Sequence, residues 1–408
     1  MLSKENNDLL TQVTGNAPMA KFMKEFWVPA VRAARLEADG DPIRVRLFGH
    51  NYVAFRGTDG KAALLNEACP HRLASLGLAR NEGNALTCLY HGWRFDVDGN
   101  TVAAPTEPLE KEEHFCKKVP LKHYPVREAG GILWAWLGDR EPNQFPAFEF
   151  NNLPESNVLI RIAEVNANWL QVLEGTVDSA HVSMLHQESV KQVNATVNKT
   201  QHDLSPRYVV DAQPYGYRAG ALRGMPDGSQ YVRISEYVQP WYSFIPKAPH
   251  ENHLVAITIP VDDENCVQWF VFYNHERALT FEDKAITEAS FGIDPNTSQD
   301  NFYEGSKEGR WDQDRSIMDK HFTGMYGVLI EDYVIVESMG TISNRTQEYL
   351  GSSDAFITKI RHHLLKALKD QAEGTIPLGL DREIDYHSIR STNGVLSAEE
   401  DWRLTPKY

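Results

Sequence analysis

Cysteine is scarce in this chain. Four occur in 408 residues, too few for a disulfide framework to hold a protein of this length. Long apolar runs are missing as well. No window approaches the ~18 uninterrupted apolar residues of a membrane-spanning helix. The opening Met1-Leu2-Ser3-Lys4-Glu5-Asn6-Asn7-Asp8 has no apolar core of a secretory leader. No G-x-G-x-x-G opens a β-α-β unit, so no nicotinamide or flavin site of that kind is expected. Positive charge is short too. The 41 Lys and Arg against 56 Asp and Glu leave a formal charge of −15, which argues against nucleic acid and anionic membranes as partners. An acidic surface suits a docking partner with a basic face. Together these absences set the expectation of a cytoplasmic protein with reduced thiols. What is present is apolar residues enough, 42%, to bury substantial cores, in a length that suggests two or three domains.

Two half-motifs stand out. Cys69-Pro70-His71 is followed, after sixteen residues, by Cys88-Leu89-Tyr90-His91. A mixed Cys₂His₂ set is also a structural zinc pattern. Zinc fingers, however, usually pair Cys with Cys and His with His, whereas each arm here carries one of each. That is what two hairpin loops closing over a two-iron cluster require. C-x-H followed by C-x-x-H resembles the ligand pattern of a Rieske [2Fe–2S] cluster, where two thiolates hold one iron and two imidazoles the other. The flanks, through Arg72 in the first arm and Gly92-Trp93-Arg94-Phe95 in the second, look like the Rieske domains of bacterial ring-hydroxylating oxygenases. The second cysteine pair of respiratory-chain Rieske loops is absent. With Cys69 and Cys88 assigned to a cluster, Cys116 and Cys266 are expected to be reduced thiols.

Residues 1–40 read mainly as helix and connection, with Phe22 and Trp27 as packing anchors. From Ile43 to about Leu137 the pattern is short strands and tight turns, which places both cluster arms at strand ends in a small β domain. The polar Gly138-Asp139-Arg140-Glu141-Pro142-Asn143 marks a boundary, giving domains at 1–145 and 146–408. In the second domain Asn168 to about His186 reads as helix. Tyr208–Leu222, Gln230–Phe244, His253–Ile259 and Val267–Tyr273 read as strands. Phe356, Ile357, Ile360, Leu364, Leu365 and Leu368 recur at helical spacing, with Ser352 or Ser353 as cap and Gly374 as stop. The fold class expected is α+β: an N-terminal β domain, then a larger domain with a helix-covered antiparallel sheet.

The segment around Asp178-Ser179-Ala180-His181-Val182-Ser183-Met184-Leu185-His186 contains D-x-x-H-x-x-x-x-H. On a helix Asp178 and His181 are neighbours on one face. His181 and His186 are five apart, which an ideal helix separates by roughly 140°, so for both to hold one metal the helix must end or bulge between them. Two imidazoles plus one carboxylate form the facial triad of non-heme Fe(II) oxygenases, with positions left open for O₂. Taken alone, a histidine pair at this spacing is more often structural.

Together the two motifs resemble the terminal oxygenase component of a Rieske non-heme iron oxygenase, most closely the phthalate dioxygenase-like group. The likeness runs from Met1-Leu2-Ser3 and Phe26-Trp27-Val28-Pro29-Ala30 to Glu337-Ser338-Met339-Gly340 and Leu350-Gly351-Ser352-Ser353-Asp354. The resemblance implies that Cys69, Cys88, His71 and His91 hold the [2Fe–2S] cluster and that His181 and His186 hold a mononuclear Fe(II). It implies a third, carboxylate ligand in Ile330-Glu331-Asp332-Tyr333-Val334-Ile335-Val336-Glu337, read here as Asp332. Asp354 is the rival, in a sequence better suited to capping a helix. Asp178 matches a bridging aspartate that joins a cluster histidine of one subunit to an iron histidine of its neighbour. That in turn implies a homo-oligomer, read as a homotrimer.

The resemblance further implies an aromatic substrate, O₂, and a separate NAD(P)H-dependent reductase carrying flavin, ferredoxin or both. The product is a cis-diol, a hydroxylated ring or, from a methoxy group, an O-demethylated one. Many substrates of the group are aromatic acids, for which an arginine fork is the expected reader. Arg207 and Arg223 are the candidates, and the aromatics of Pro240-Trp241-Tyr242-Ser243-Phe244-Ile245-Pro246 could face a flat ring or simply fill the core. Two other readings stay open: a Rieske electron carrier, which lacks the mononuclear iron, and an oxygenase acting on an alicyclic or sterol molecule.

Overall fold

The alternation of Ile43–Leu47 pairs it with His50–Arg56, and the two-residue turn between them holds Phe48 and Gly49 at φ +52° and +72°. Positive φ at both central residues matches the twist of the flanking strands. In the computed structural model, which describes residues 1–188, 197–247, 251–292, 303 and 307–406, that hairpin begins a four-stranded antiparallel sheet completed by Ala62–Asn66 and His123–Tyr124. A second four-stranded sheet runs Arg80–Glu82, Ala85–Thr87, Arg94–Asp96 and Thr101–Ala103. A third joins Val28–Arg32, Ile132–Ala135 and Val126–Ala129. Val28–Arg32 was read as connection; its apolar residues pair with Ile132–Ala135 across about a hundred residues, which no local pattern announces. Phe22 and Trp27 are buried as expected.

These elements form one unit, Val13–Pro146. The other unit is Ala147–Tyr408 together with Met1–Gln12. The sequence grouped residues 1–145, but the first helix, Lys4–Thr11, packs with the larger unit. Leu10 O accepts from Trp169 Nε1 (3.2 Å) and Thr11 O from Asn168 Nδ2 (2.9 Å).

The larger unit is built on an eight-stranded antiparallel sheet. Its order is Val158–Val165, Cys266–Tyr273, His253–Pro260, Tyr242–Ile245, Gln230–Val238, Gly216–Gly224 and Arg207–Gln213, with Thr392–Leu396 also pairing with Gln230–Val238. Two stretches read as single strands are each two. Pro214 and Gly216, the latter at φ +144°, fold the chain back between Arg207–Gln213 and Gly216–Gly224. Tyr242–Ile245 likewise turns back from Gln230–Val238. The helix Trp169–Val177 packs on the strands Tyr242–Ile245 and His253–Pro260, and the long helix Ala355–Ala372 on Gly216–Gly224. This long helix buries Phe356, Ile360, Leu364 and Leu368, and Gly374 follows it at φ +76°. Ser352 and Ser353 lie in a short 3₁₀ turn before it. There Asp354 accepts from Gly351 N–H at 2.6 Å, so this carboxylate is spent on capping. Among the described residues no helix is long and apolar enough to cross a membrane.

Candidate functional site

In the smaller unit the two motifs occupy two loops with one hydrogen-bond pattern. Leu73 N–H donates to Cys69 O (2.8 Å) and Gly92 N–H to Cys88 O (2.9 Å). Cys69 N–H donates to Ala74 O (2.9 Å) and Cys88 N–H to Trp93 O (2.8 Å). The matched fifth positions, Leu73 and Gly92, both sit at positive φ, +61° and +74°. The cysteines are buried free thiols, while His71 and His91 are half-buried with ring centroids 4.4 Å apart. His71 stacks on Trp93 at 4.3 Å. Burial, with the Cys88 sulfur beside it, pushes the Cys69 thiol up to about 11. A thiol so placed becomes a thiolate only when a cation takes the proton's place, which is what a thiolate-bound iron does. Two buried sulfurs and two half-buried imidazoles, carried on two matching loops, are the donor set of a Rieske cluster.

The second motif lies in the larger unit. The helix begins at Asn168, whose side chain accepts from Leu170 N–H (3.1 Å), and ends at Val177, earlier than the sequence suggested. Asp178 is extended (φ −74°, ψ 126°), and a separate 3₁₀ turn covers His181–Ser183. Asp178 and His181 therefore meet through a turn, not on a helical face. The Asp178 carboxylate accepts from Ala180 N–H (2.7 Å) and His181 N–H (3.3 Å), which starts the turn. It also lies 3.2 Å from His181 Nδ1 and accepts from the Tyr208 hydroxyl at 3.2 Å. Burial works against its ionisation, but the His181 ring and the two amides prevail and hold it below the usual carboxylate range.

With Nδ1 facing Asp178, His181 turns Nε2 the other way, to 3.2 Å from His186 Nε2. Asp332 Oδ1 completes the set at 3.5 Å from His181 Nε2 and 3.1 Å from His186 Nε2. The three ligand atoms all lie within 4.8 Å of one another. Asp332 comes from the helix Val328–Ser338, which starts at Gly327 (φ +102°) where the chain touches Gly292. A Cβ at Gly327 would stand 2.3 Å from Gly292 Cα, so only this glycine pair lets the helix approach.

One residue of the site was not foreseen. Glu331, fully buried, accepts from His186 Nδ1 at 2.8 Å and from the Thr323 hydroxyl at 2.7 Å. Each imidazole thus has its own carboxylate behind it, Asp178 for His181 and Glu331 for His186, which fixes the tautomer and raises the basicity of the ligating nitrogen. Burial opposes a positive charge on His186, yet Asp332 and Glu331 outweigh it and raise the ring to about 9. Two imidazoles, one carboxylate and an open side fit mononuclear Fe(II). Glu331→Gln is expected to weaken iron retention ~10- to 100-fold. Iron per chain after dialysis against a chelator checks this; retention equal to the parent would show that Glu331 does not support His186.

The open side is a cavity walled by Val172, Leu254, Phe270, Phe291, Leu329 and Val336, with Ser235, Gln268, Arg233 and Lys247 among its polar groups. Arg233 is 5% exposed and donates from Nε to Ser179 Oγ at 2.9 Å. The two arginines singled out from the sequence lie elsewhere. Arg207 is exposed and not among the lining residues. Arg223 is buried and spent on Ser179 O (2.6 Å) and Asp203 O (3.1 Å). Trp241, Tyr242 and Phe244 belong to the core, where Phe148 packs on the latter two; only Ile245 and Pro246 of that segment reach the cavity. Arg233 escaped the sequence reading because its pattern is that of any strand arginine.

Residues 26–125 match the family described as Rieske [2Fe-2S] domain, and residues 135–407 the family described as LigXa C-terminal domain like. The chain is 36% identical to the phthalate 4,5-dioxygenase oxygenase subunit of Pseudomonas putida, over 99% of this chain and 94% of that protein. It is 31% identical to the 3-chlorobenzoate-3,4-dioxygenase oxygenase subunit of Comamonas testosteroni, over 98% and 96%. To the 5,5'-dehydrodivanillate O-demethylase oxygenase subunit of a Sphingobium it is 28% identical, over 94% and 84%. Among solved structures, the QL mutant of Pseudomonas putida NdmA with theobromine superposes with a TM-score of 0.63 at 17% identity, covering 90% of this chain and all of that one. Dicamba monooxygenase bound to dicamba gives 0.58 at 16%, covering 86% and 99%. At such identities the structures speak for the fold alone.

Proposed function

Because this chain belongs to the Rieske non-heme iron oxygenases, we propose that it is the oxygenase subunit of a phthalate dioxygenase-like system acting on an aromatic carboxylic acid. The observation that carries the substrate class is Arg233, a buried guanidinium lining the same apolar cavity as His181, His186 and Asp332. An aromatic ring suits the Phe270 and Phe291 walls, and a carboxylate suits the guanidinium. Lys247 adds positive charge nearby, though burial holds its ammonium below the ordinary lysine range. Relatives of similar length are named for phthalate and for 3-chlorobenzoate, both aromatic acids.

Each metal has its place in this reading. Cys69, Cys88, His71 and His91 would hold the [2Fe–2S] cluster; His181, His186 and Asp332 the mononuclear iron. When bound, the iron supplies O₂ activation, and the chain's residues do the rest. Asp178 and Glu331 hold the two imidazoles in the ligating tautomer. Arg233 anchors the acid so that its ring faces the open side of the triad, and the apolar walls exclude water. Electrons come from a separate NAD(P)H-dependent reductase.

The working assembly is read as a homo-oligomer, a trimer, and its compartment as the cytoplasm. What supports the oligomer is the apolar surface around His71 and His91, where Leu73, Leu89 and Tyr90 are 75%, 63% and 54% exposed. A neighbouring subunit would cover it.

Arg233→Met should raise KM for an aromatic acid ~10- to 100-fold with a smaller change in kcat, since the lost fork binds ground and transition states alike. Steady-state O₂ uptake with phthalate and monochlorobenzoates, driven by a surrogate reductase, measures it. An unchanged KM for every acid turned over would rule Arg233 out as the reader. Arg207→Met in the same assay tests the exposed arginine that the sequence nominated.

A further inference from the structure

A second group of two imidazoles and one carboxylate lies in the larger unit, apart from the Asp332 site: Glu149, His253 and His275. Glu149 opens the 3₁₀ turn Glu149–Asn152, His253 opens the strand His253–Pro260, and His275 lies two residues beyond the strand Cys266–Tyr273. The two strands are antiparallel neighbours with His253 opposite Tyr273, which brings the two rings together. His253 Nε2 is 3.2 Å from His275 Nδ1, the same separation as between His181 Nε2 and His186 Nε2. Two nitrogens held at about 2.0–2.1 Å by a tetrahedral zinc stand about 3.3 Å apart. The three ligand atoms again lie within 4.8 Å of one another.

The surroundings keep this set in place. His253 stacks on Tyr273, with centroids 4.9 Å apart. Asn274 Oδ1 accepts from the N–H groups of Glu276 (3.0 Å) and Arg277 (3.1 Å), closing the turn that carries His275. The far nitrogen of His275 points toward Glu276, with Nε2 3.9 Å from Oε1. Glu149 and His253 are 5% and 9% exposed, while the edge of His275 is open. Arg390 forks onto the Glu149 carboxylate, its Nε at 3.0 Å and its Nη2 on the other oxygen, and Tyr273 also bonds to it. A carboxylate offers about four acceptor positions, so one remains after these three bonds. The arginine is the natural competitor of any cation here.

We infer that Glu149, His253 and His275 form a second cation site of this protein, one that takes a zinc-type divalent transition metal ion. The ion sits between the two facing ring nitrogens and pins the Glu149 turn to the ends of two sheet strands. Imidazole and carboxylate donors at this spacing suit zinc better than calcium or magnesium, which prefer oxygen alone.

The test uses the full chain with its iron in place. Zn²⁺ is added by equilibrium dialysis, and zinc and iron per chain are counted by elemental analysis. The expected result is one zinc per chain gained with no iron lost. His275→Ala and Glu149→Gln should weaken that zinc ~100-fold or more, beyond what is usual for supporting residues. Arg390→Gln should bind zinc more tightly than the parent, because the competing guanidinium is gone. His181→Ala, which by the oxygenase reading loses iron, should still take the zinc; the two readings thus fail separately. No uptake of zinc, or uptake matched by iron loss and indifferent to His275→Ala, would overturn the assignment.

Discussion

Asp332→Ala, His181→Ala and His186→Ala are each expected to give a folded protein with an intact cluster spectrum and no oxygenation. The ligand atoms of these residues converge on one point from two segments more than a hundred residues apart. In the proposed site each would supply one of three protein bonds to the metal, so losing any one should release the iron. The residues proposed for the cluster lie in the other unit, on loops closed by their own backbone hydrogen bonds, so their hold on it should not depend on Asp332. Asp354→Ala is the internal control. That carboxylate caps a turn through Gly351 N–H, so its loss should cost about 1 kcal/mol of stability and leave activity unchanged. Iron content, cluster absorption and O₂ uptake measured on all four proteins check this. Full activity in Asp332→Ala would move the third ligand elsewhere.

The second large effect concerns Asp178→Asn. The carboxylate takes the His181 ring, two backbone amides and the Tyr208 hydroxyl within its own chain. The bridging role that the family resemblance implies for it would add a cluster histidine of a neighbouring subunit. Asparagine keeps the shape and the turn but removes the charge, and its amide offers one acceptor oxygen in place of two. The protein should assemble and its cluster should still accept an electron from a reductase. Transfer onward to the mononuclear iron should slow by ~10- to 100-fold or more. Rapid-mixing single-turnover kinetics from the reduced cluster reads that step directly. Near-parental transfer would remove Asp178 from the electron route, as would a fully active monomer in sedimentation.

What was legible in the sequence was local. Both cluster arms are three- and four-residue motifs whose spacing exposes them, while His181 and His186, within one short segment, gain a metal reading only beside those arms. Asp332 could be named only through the resemblance, because nothing in the sequence ties a helix carboxylate to histidines far upstream. Glu331 was missed for the same reason, since its partner His186 is 145 positions away. The run Asn168–His186 read as one helix because its apolar residues continue past the end. What stops it is the Asp178 side chain turning back onto the amides of Ala180 and His181. The strand pairs at Gly216 and at Tyr242 were merged because apolar and aromatic residues continue through the reversals. Arg223 and Arg233 are both buried, and only the fold shows that the first is bound to backbone carbonyls while the second lines the cavity.

If the proposed function holds, this chain activates O₂ at His181, His186 and Asp332 using electrons delivered through the Cys69, His71, Cys88 and His91 cluster. The most direct measurement supplies isotopically labelled O₂, a surrogate reductase with NADH, and a panel of aromatic acids, and reads the products by mass spectrometry. Labelled oxygen should appear in the product of at least one acid and be lost entirely in His181→Ala although its cluster is still reduced. A reducible cluster with no label in any product, or label that survives in His181→Ala, would contradict it.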